Sequence, residues 1–371
     1  MKKLLNKLTV RMAIASFLAA VMLLLSIGCG EDPVIDQSGE PDKLGSWRHI
    51  NQEMPRADNW QKIVTDSEFR IGEKTSKFGN WWVFDVGFGT YPSIDGSTVV
   101  VPMVAEFARQ HLDFTDNEAN SFSRLSQTHA AYLNLINRAP NLMRGSVSRS
   151  ENHYYFDETQ PVDIIIVTEP SEDELYLAAQ AGVVLIQKPV CYDAFVFITH
   201  KDNPLDSLTV QQVRDIYSGR ITNWREVGGK DEPISAYQRE ENSGSQTAML
   251  SLVMQGTPML PPEMVEIVTG MGMLVDTVAE YRNDSASIGY TYKFYIDALY
   301  KNENIKILRI DDISPEDENL RTGAYPFSTC YYGVIRGGEE ELTGGRFLDW
   351  MLSEEGQRCI VQAGYVPYVK Y

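Results

Sequence analysis

Val162-Asp163-Ile164-Ile165-Ile166-Val167-Thr168-Glu169-Pro170-Ser171-Glu172-Asp173-Glu174 carries the pattern that decides the fold class. Val162 to Val167 is short, β-branched and almost wholly apolar, as expected of a strand buried on both faces of a sheet. Ser171 followed three residues later by Glu174 is the reciprocal cap that opens a helix, and the helix is predicted to run to Gly182. Working outward, Trp81 to Phe84 is strand-like and Val99 to Leu112 has helical spacing. A helix is expected from near His129 to Ile136, then come an apolar run at Ala194 to Ile198 and a helix from Thr209 to Tyr217 that stops at Ser218-Gly219. Ser287-Ile288-Gly289-Tyr290 reads as a later strand entry. Strands alternating with helices predict an α/β fold. The turn-like Lys201-Asp202-Asn203-Pro204 is where the chain is expected to cross between domains, and the polar stretch 139–160 reads as a surface insertion.

The 371 residues are 43% hydrophobic, with 33 Lys and Arg against 51 Asp and Glu, so a large core is available and extended disorder is excluded. A formal charge of −18 excludes a nucleic-acid binder, which needs clustered basic residues. It equally excludes long-range attraction of any small anion.

Lys2, Lys3, Lys7 and Arg11 followed by the apolar run Met12 to Ile27 have the form of an export signal, shorter than a membrane span. The run ends in Leu25-Ser26-Ile27-Gly28-Cys29, which resembles a bacterial lipobox with Ser26 where Leu is usual. The expectation is a lipoprotein signal peptide over residues 1–28, lipidation of Cys29, and a membrane-anchored periplasmic or cell-surface protein. An ordinary signal peptide is the alternative. Removing residues 1–28 takes away four basic residues and no acidic ones, leaving a charge of −22. Residues 29–79 are then a spacer and N-terminal extension. Cys191, Cys330 and Cys359 are too few and too scattered for zinc or a disulfide framework, although one disulfide among them is open.

HExxH, GxSxG and P-loop motifs are absent, and the five histidines show no ligand spacing, so neither a metal nor a cofactor is expected. Three other segments share one design. Asp95-Gly96-Ser97-Thr98, Ser126-Gln127-Thr128 and Ser243-Gly244-Ser245-Gln246-Thr247 each stand at a strand-to-helix turn, and Arg239 precedes the last by four residues. Helix starts with hydroxyls, plus one arginine, can hold an anion without a basic surface. Ser and Thr are also the ordinary caps of helices, and Arg239 could pair with Glu240 or Glu241.

At these residues the chain resembles the phosphate-binding protein family of bacterial phosphate ABC importers, within the type II periplasmic binding proteins. The resemblance rests on Ile216-Tyr217-Ser218-Gly219-Arg220-Ile221-Thr222-Asn223-Trp224, on Arg239-Glu240-Glu241-Asn242-Ser243-Gly244-Ser245, and on Phe347-Leu348-Asp349-Trp350 through Ala363-Gly364-Tyr365-Val366-Pro367. It implies two α/β lobes, each a mixed sheet flanked by helices, joined by hinge strands and closing on an oxyanion. Residues 80–197 and 320–371 would form lobe I and 198–319 lobe II. The implied phosphate ligands are Ser97, Thr98, Ser126, Thr128, Thr168, Arg239, Ser243, Gly244 and Ser245, with Glu241 steadying Arg239. Two departures stand out. Ser126-Gln127-Thr128 lacks the glycines of the family's motif there, and Thr168 replaces the aspartate that accepts the proton of hydrogen phosphate, with Glu169 beside it. A threonine adapts to sulfate or phosphate alike. The implied activity is non-enzymatic: a monomer that captures phosphate and delivers it to an ABC permease. A sensor or surface lipoprotein of the same fold, or a binder of sulfate or molybdate, are the alternatives.

Overall fold

The computed structural model describes residues 91–112, 114–143, 160–261, 267–268, 271–280 and 286–368, with the backbone of 74–78 and 81–84. The expected signal peptide, Cys29, most of the spacer and most of the 139–160 insertion lie outside the described residues. The first elements are an antiparallel hairpin of β1 (Lys74–Phe78) and β2 (Trp81–Phe84), β2 being the strand expected there.

Next come β3 (Ile94–Gly96), α1 (Val101–Leu112), α2 (Asp116–Phe122), α3 (Thr128–Ile136), β4 (Ile164–Val167) and α4 (Glu172–Gln180). β4 is buried along its whole length, as its sequence requires. α4 begins with the expected cap: the Ser171 N–H donates to the Glu174 carboxylate at 2.7 Å, and the Glu174 N–H donates to the Ser171 hydroxyl at 3.3 Å. β3 and β4 run parallel, with Gly96 opposite Ile166. A Cβ on Gly96 would stand 2.3 Å from the Ile166 carbonyl oxygen, so only glycine allows this approach.

β5 (Leu185–His200) is sixteen residues long, about three times the usual strand, and spans roughly 50 Å at about 3.3 Å per residue. Its first part, to Ala194, pairs antiparallel with β13 (Ser328–Arg336). From Phe195 onward it pairs with β10 (Ser287–Tyr292) and β11 (Ile305–Ile307). Pro189 has no N–H for a ladder, and the register slips beside it, Tyr331 facing Cys191 and Tyr332 facing Pro189. The main sheet is ordered β3-β4-β13-β5-β10-β7, where β7 is Ser235–Ala236.

The second set of elements also includes β6 (Ser207–Leu208), α5 (Val210–Tyr217), β8 (Gln238–Arg239), α6 (Gly244–Ala248), β9 (Ile267–Val268), α7 (Met271–Glu280) and β12 (Arg309–Ile310). α5 is capped by Thr209 and ends at Ser218, as its sequence predicts. The C-terminal helices α8 (Asp317–Arg321), α9 (Thr343–Met351) and α10 (Glu354–Gln362) lead to β14 (Val366–Pro367), which returns to pair with β5 at Cys191 and Tyr192. Cys191, Cys330 and Cys359 are buried free thiols, so the disulfide left open by the sequence does not form among them.

Asp193 sits one residue before β5 changes partners. It is buried, and its carboxylate accepts from the Tyr331 hydroxyl (2.7 Å), the Ala194 N–H (2.7 Å) and the Phe294 N–H (3.1 Å). One side chain thus ties β5, β13 and the segment after β10 together. Burial pushes its pKa from 3.8 to about 6, against the pull of the Tyr331 hydroxyl, two backbone donors and the charge of Lys293. Because the folded value lies above the unfolded one, the stabilisation from Asp193 is complete below about pH 3.8. It is lost as pH rises through about 6. Relative to Asp193→Asn, the wild type should lose about 2–3 kcal/mol of unfolding free energy between pH 4 and pH 7 in urea denaturation. Parallel pH profiles for the two proteins would contradict this.

Candidate functional site

The parallel register of β3 and β4 brings their carboxyl ends to one edge, the place where open α/β sheets bind ligands. Ser97 follows β3, and its N–H donates to Ile166 C=O at 3.0 Å. Its side chain is buried yet makes no capping bond, while Thr98 is exposed. The helix expected from Val99 begins instead with a tight turn at Thr98–Val100 and becomes regular at Val101.

Asp95, beneath this loop, is structural. Its carboxylate accepts from the N–H groups of Gly96 and Ser126 and from the Asn134 amide, all at 2.8 Å, while burial raises its pKa. The same network absorbs Ser126, whose hydroxyl donates to Asn141 Oδ1 (3.2 Å) and accepts from Asn134 Nδ2 (3.3 Å). Gln127, at φ 77°, holds the cap position of α3. Thr128 opens the helix.

Thr168 follows β4, its carbonyl held by the Tyr132 hydroxyl of α3 at 2.8 Å. Its own hydroxyl is buried beside that of Tyr292. Facing it is Gly244: a Cβ there would stand 2.5 Å from Thr168 Oγ1 and 3.0 Å from Thr128 Oγ1. Three of the segments singled out in the sequence therefore converge at one point, and the convergence requires a glycine. The Gly244 carbonyl accepts from the Tyr292 hydroxyl at 3.0 Å. Glu169 does not join this group, since its carboxylate accepts from the Tyr332 hydroxyl at 3.3 Å and lines a neighbouring cavity.

Ser243 caps α6 as expected, its hydroxyl accepting from the Gln246 N–H at 3.2 Å. The helix continues from Gly244–Ala248 into a wider turn over Met249–Met254, and Ser245 is buried in its first turn. Arg239 ends β8, its N–H donating to the Tyr290 hydroxyl at 2.9 Å, and Tyr290 in turn bonds Gln246. The Arg239 side chain is only 4% exposed. One nitrogen, Nη2, donates to Glu240 Oε1 at 3.0 Å, while Nε and Nη1 are buried with no partner. Burial lowers the arginine pKa and the charge of Glu240 opposes that shift. Two unsatisfied charged donors cost about 1–3 kcal/mol each or more, a cost that an anion would remove.

Glu241, expected to steady Arg239, does not. It lies exposed on a turn completed by Asn242 at φ 60°, which carries its carboxylate to solvent, and Glu240 takes the role. Asn242 instead donates to Asp173 Oδ2 of α4 at 2.9 Å, fastening the arginine loop to the helix after Thr168. Tyr132, Tyr290 and Gln246 were not foreseen. Tyr132 carried one signal, its i+4 spacing from Thr128. No group of three His, Cys, Asp or Glu able to hold a metal exists among the described residues.

The family model of the PBP superfamily domain matches residues 128–355, more than half of the chain. The chain belongs to this superfamily. The phosphate-binding protein PstS of Bacillus subtilis (strain 168) is 28% identical over 187 residues, covering 49% of this chain and 58% of that protein. The PstS of Borreliella burgdorferi is 25% identical over 179 residues, covering 47% and 63%. The chain thus spans about three-fifths of the curated relatives it matches. A crystal structure of a candidate phosphate ABC transporter substrate-binding protein from Clostridium perfringens, solved with bound phosphate, superposes with a TM-score of 0.54 at 27% identity. It covers 76% of this chain and 100% of that one. The α/β fold of two-lobed binding proteins, expected from the sequence, is therefore the fold of this chain.

The close approach at Gly244 gives a direct check of the geometry. Gly244→Ala should weaken oxyanion binding about 10- to 100-fold in calorimetry, because the loops can no longer meet. Because the loops already meet in the unliganded structure, the added methyl group should also lower its thermal midpoint by about 2–4 °C. Unchanged affinity would show that the loops need not touch.

Proposed function

We propose that the protein is an extracytoplasmic, non-enzymatic solute-binding protein that captures phosphate between two lobes and hands it to the permease of an ABC importer. The observation that carries this reading is Arg239, a buried guanidinium with two donor nitrogens left open beside the start of α6. An oxyanion there would accept from Arg239 Nε and Nη1, from backbone N–H groups at Gly244 and Ser245, and from the hydroxyls of Ser243, Ser245, Thr168 and Thr128. Ser97 and Thr98 close the site from the end of β3. Ser126, committed to Asn134 and Asn141, supports the loop rather than the ligand.

In this reading lobe I holds residues 80–197 and 320–371 and lobe II holds 198–319, with β5 and β13 as the strands that flex. The protein works as a monomer, held at the membrane by lipid on Cys29. No described helix is long and apolar enough to cross a membrane. The names and bound phosphate of the relatives support the choice of ligand.

Thr168 favours a second reading at the level of specificity. A carboxylate at this point would repel an anion with no proton to donate, whereas a hydroxyl can donate to one or accept from another. Sulfate should therefore compete with phosphate.

Calorimetry on the protein lacking residues 1–28 tests both readings. Phosphate should bind at micromolar protein concentration, and Arg239→Ala should weaken it at least about 100-fold, since two charge-assisted hydrogen bonds are lost. Sulfate should displace phosphate at pH 5 and pH 8 alike. Absence of phosphate binding would overturn the assignment, and absolute exclusion of sulfate would overturn the second reading.

A further inference from the structure

Tyr365, in the segment that joins α10 to β14, lies 266 residues beyond Val99, yet its hydroxyl donates to the Val99 carbonyl oxygen at 2.6 Å. The same hydroxyl accepts from the Met103 N–H. Val99 C=O and Met103 N–H are the acceptor and donor that a regular α-helix pairs with each other. The Tyr365 hydroxyl therefore enters the helical ladder where the tight turn Thr98–Val100 gives way to the regular helix α1. Val99 directly follows Ser97 and Thr98, so one distant side chain bears on the turn that carries both residues assigned to the anion from the end of β3.

The ring is held as closely as the hydroxyl. Tyr365 is buried, and it follows a left-handed turn at Gly364, φ 90°. Its face stacks on Phe294, with ring centroids 3.7 Å apart and planes 17° from parallel, and the Tyr331 ring meets it edge-on at 6.3 Å. The Phe294 N–H and the Tyr331 hydroxyl both donate to the Asp193 carboxylate, at 3.1 and 2.7 Å. Two residues before Phe294, at the end of β10, the Tyr292 hydroxyl donates to Gly244 C=O at 3.0 Å. Continuous contacts thus run from the turn after β3, through Tyr365 and Phe294, to the strand end that holds the start of α6.

Packing alone does not call for the hydroxyl. A phenylalanine would fill the same space and keep the stack, and Val99 C=O and Met103 N–H would then pair with each other as in any helix. What the hydroxyl changes is the shape of the turn.

We propose that Tyr365 is a positioning residue of the anion site. Its hydroxyl holds the Thr98–Val100 turn in the form that presents Ser97 and Thr98 to the ligand, and its stack on Phe294 registers that turn against the start of α6. This rests on the oxyanion reading above and adds to it a residue that touches no ligand.

The test is calorimetry with inorganic phosphate on the protein lacking residues 1–28, as wild type, Tyr365→Phe, Ser97→Ala, the double variant, Phe294→Leu and Tyr368→Phe. Tyr368 is the control, a tyrosine of the same segment whose ring packs beside Tyr192. Tyr365→Phe should weaken phosphate about ten-fold, and Tyr368→Phe should leave it unchanged. Phe294→Leu keeps the hydroxyl but loses the stack, and should weaken phosphate at least about three-fold. Because Tyr365 acts through the turn that carries Ser97, adding Tyr365→Phe to Ser97→Ala should cost at most about three-fold more, where independent roles would multiply. Phosphate affinity of Tyr365→Phe or Phe294→Leu within about two-fold of wild type, or losses that multiply in the double variant, would overturn the proposal and leave the oxyanion reading standing. A wild type that binds no phosphate would overturn both.

Discussion

A guanidinium cannot shed its charge to escape burial, so a buried arginine must be surrounded by acceptors or wait for one. Arg239 is satisfied at one nitrogen by Glu240 and left open at two. The structure around it is organised to hold that condition. Tyr290 and Gln246 fix its backbone, Ser243 caps the helix that begins beside it, and Gly244 lets the opposite loop come within contact of that helix start. Each of these devices is modest alone. Together they hold Arg239 buried with two of its three nitrogens open, which under the proposed function is where an anion would be received.

The same constraint reconciles the ligand with the charge of the chain. A protein at −18 repels anions at long range, and its acidity argues against capture by attraction. Inside a closed cleft the balance is set by neighbours within a few ångströms, where water and salt screen little. The closure proposed above would turn on β5, a single strand shared by two sets of partners, with Asp193 fastening it to Tyr331 and Phe294 where the partners change. The acid at this join is buried at an energetic cost and offset by three donors, so it fixes the geometry of the join more than it stabilises the fold.

Much of the architecture was legible because it rests on local rules. The apolar run at Ile164 to Val167, the reciprocal cap of Ser171 and Glu174, and the cap at Thr209 each became the element they announce. The loop that carries Arg239 and the capped start of α6 was legible through Arg239, Ser243 and Gly244, residues close enough in sequence to be read as one unit. What failed depended on backbone turns or on partners distant in the chain. Glu240 and Glu241 are adjacent acids, and only the left-handed turn at Asn242 decides which one faces the arginine. Ser126 looks like a cap in sequence, but Asn134 and Asn141 claim its hydroxyl from positions that no local pattern connects to it. The cavity beside Glu169 was invisible for the same reason, since Arg321, Tyr292 and Leu252 come together only through the return of the chain.

The central claim, that the open nitrogens of Arg239 and the hydroxyl of Thr168 define the anion position, is tested most directly by a crystal structure of the protein with phosphate bound. The account predicts phosphate oxygens about 2.7–3.0 Å from Arg239 Nε and Nη1, and within hydrogen-bond reach of Thr168 Oγ1 and the Ser245 N–H. Phosphate bound elsewhere, or an Arg239 side chain swung out to water while the anion sits in the cleft, would contradict it.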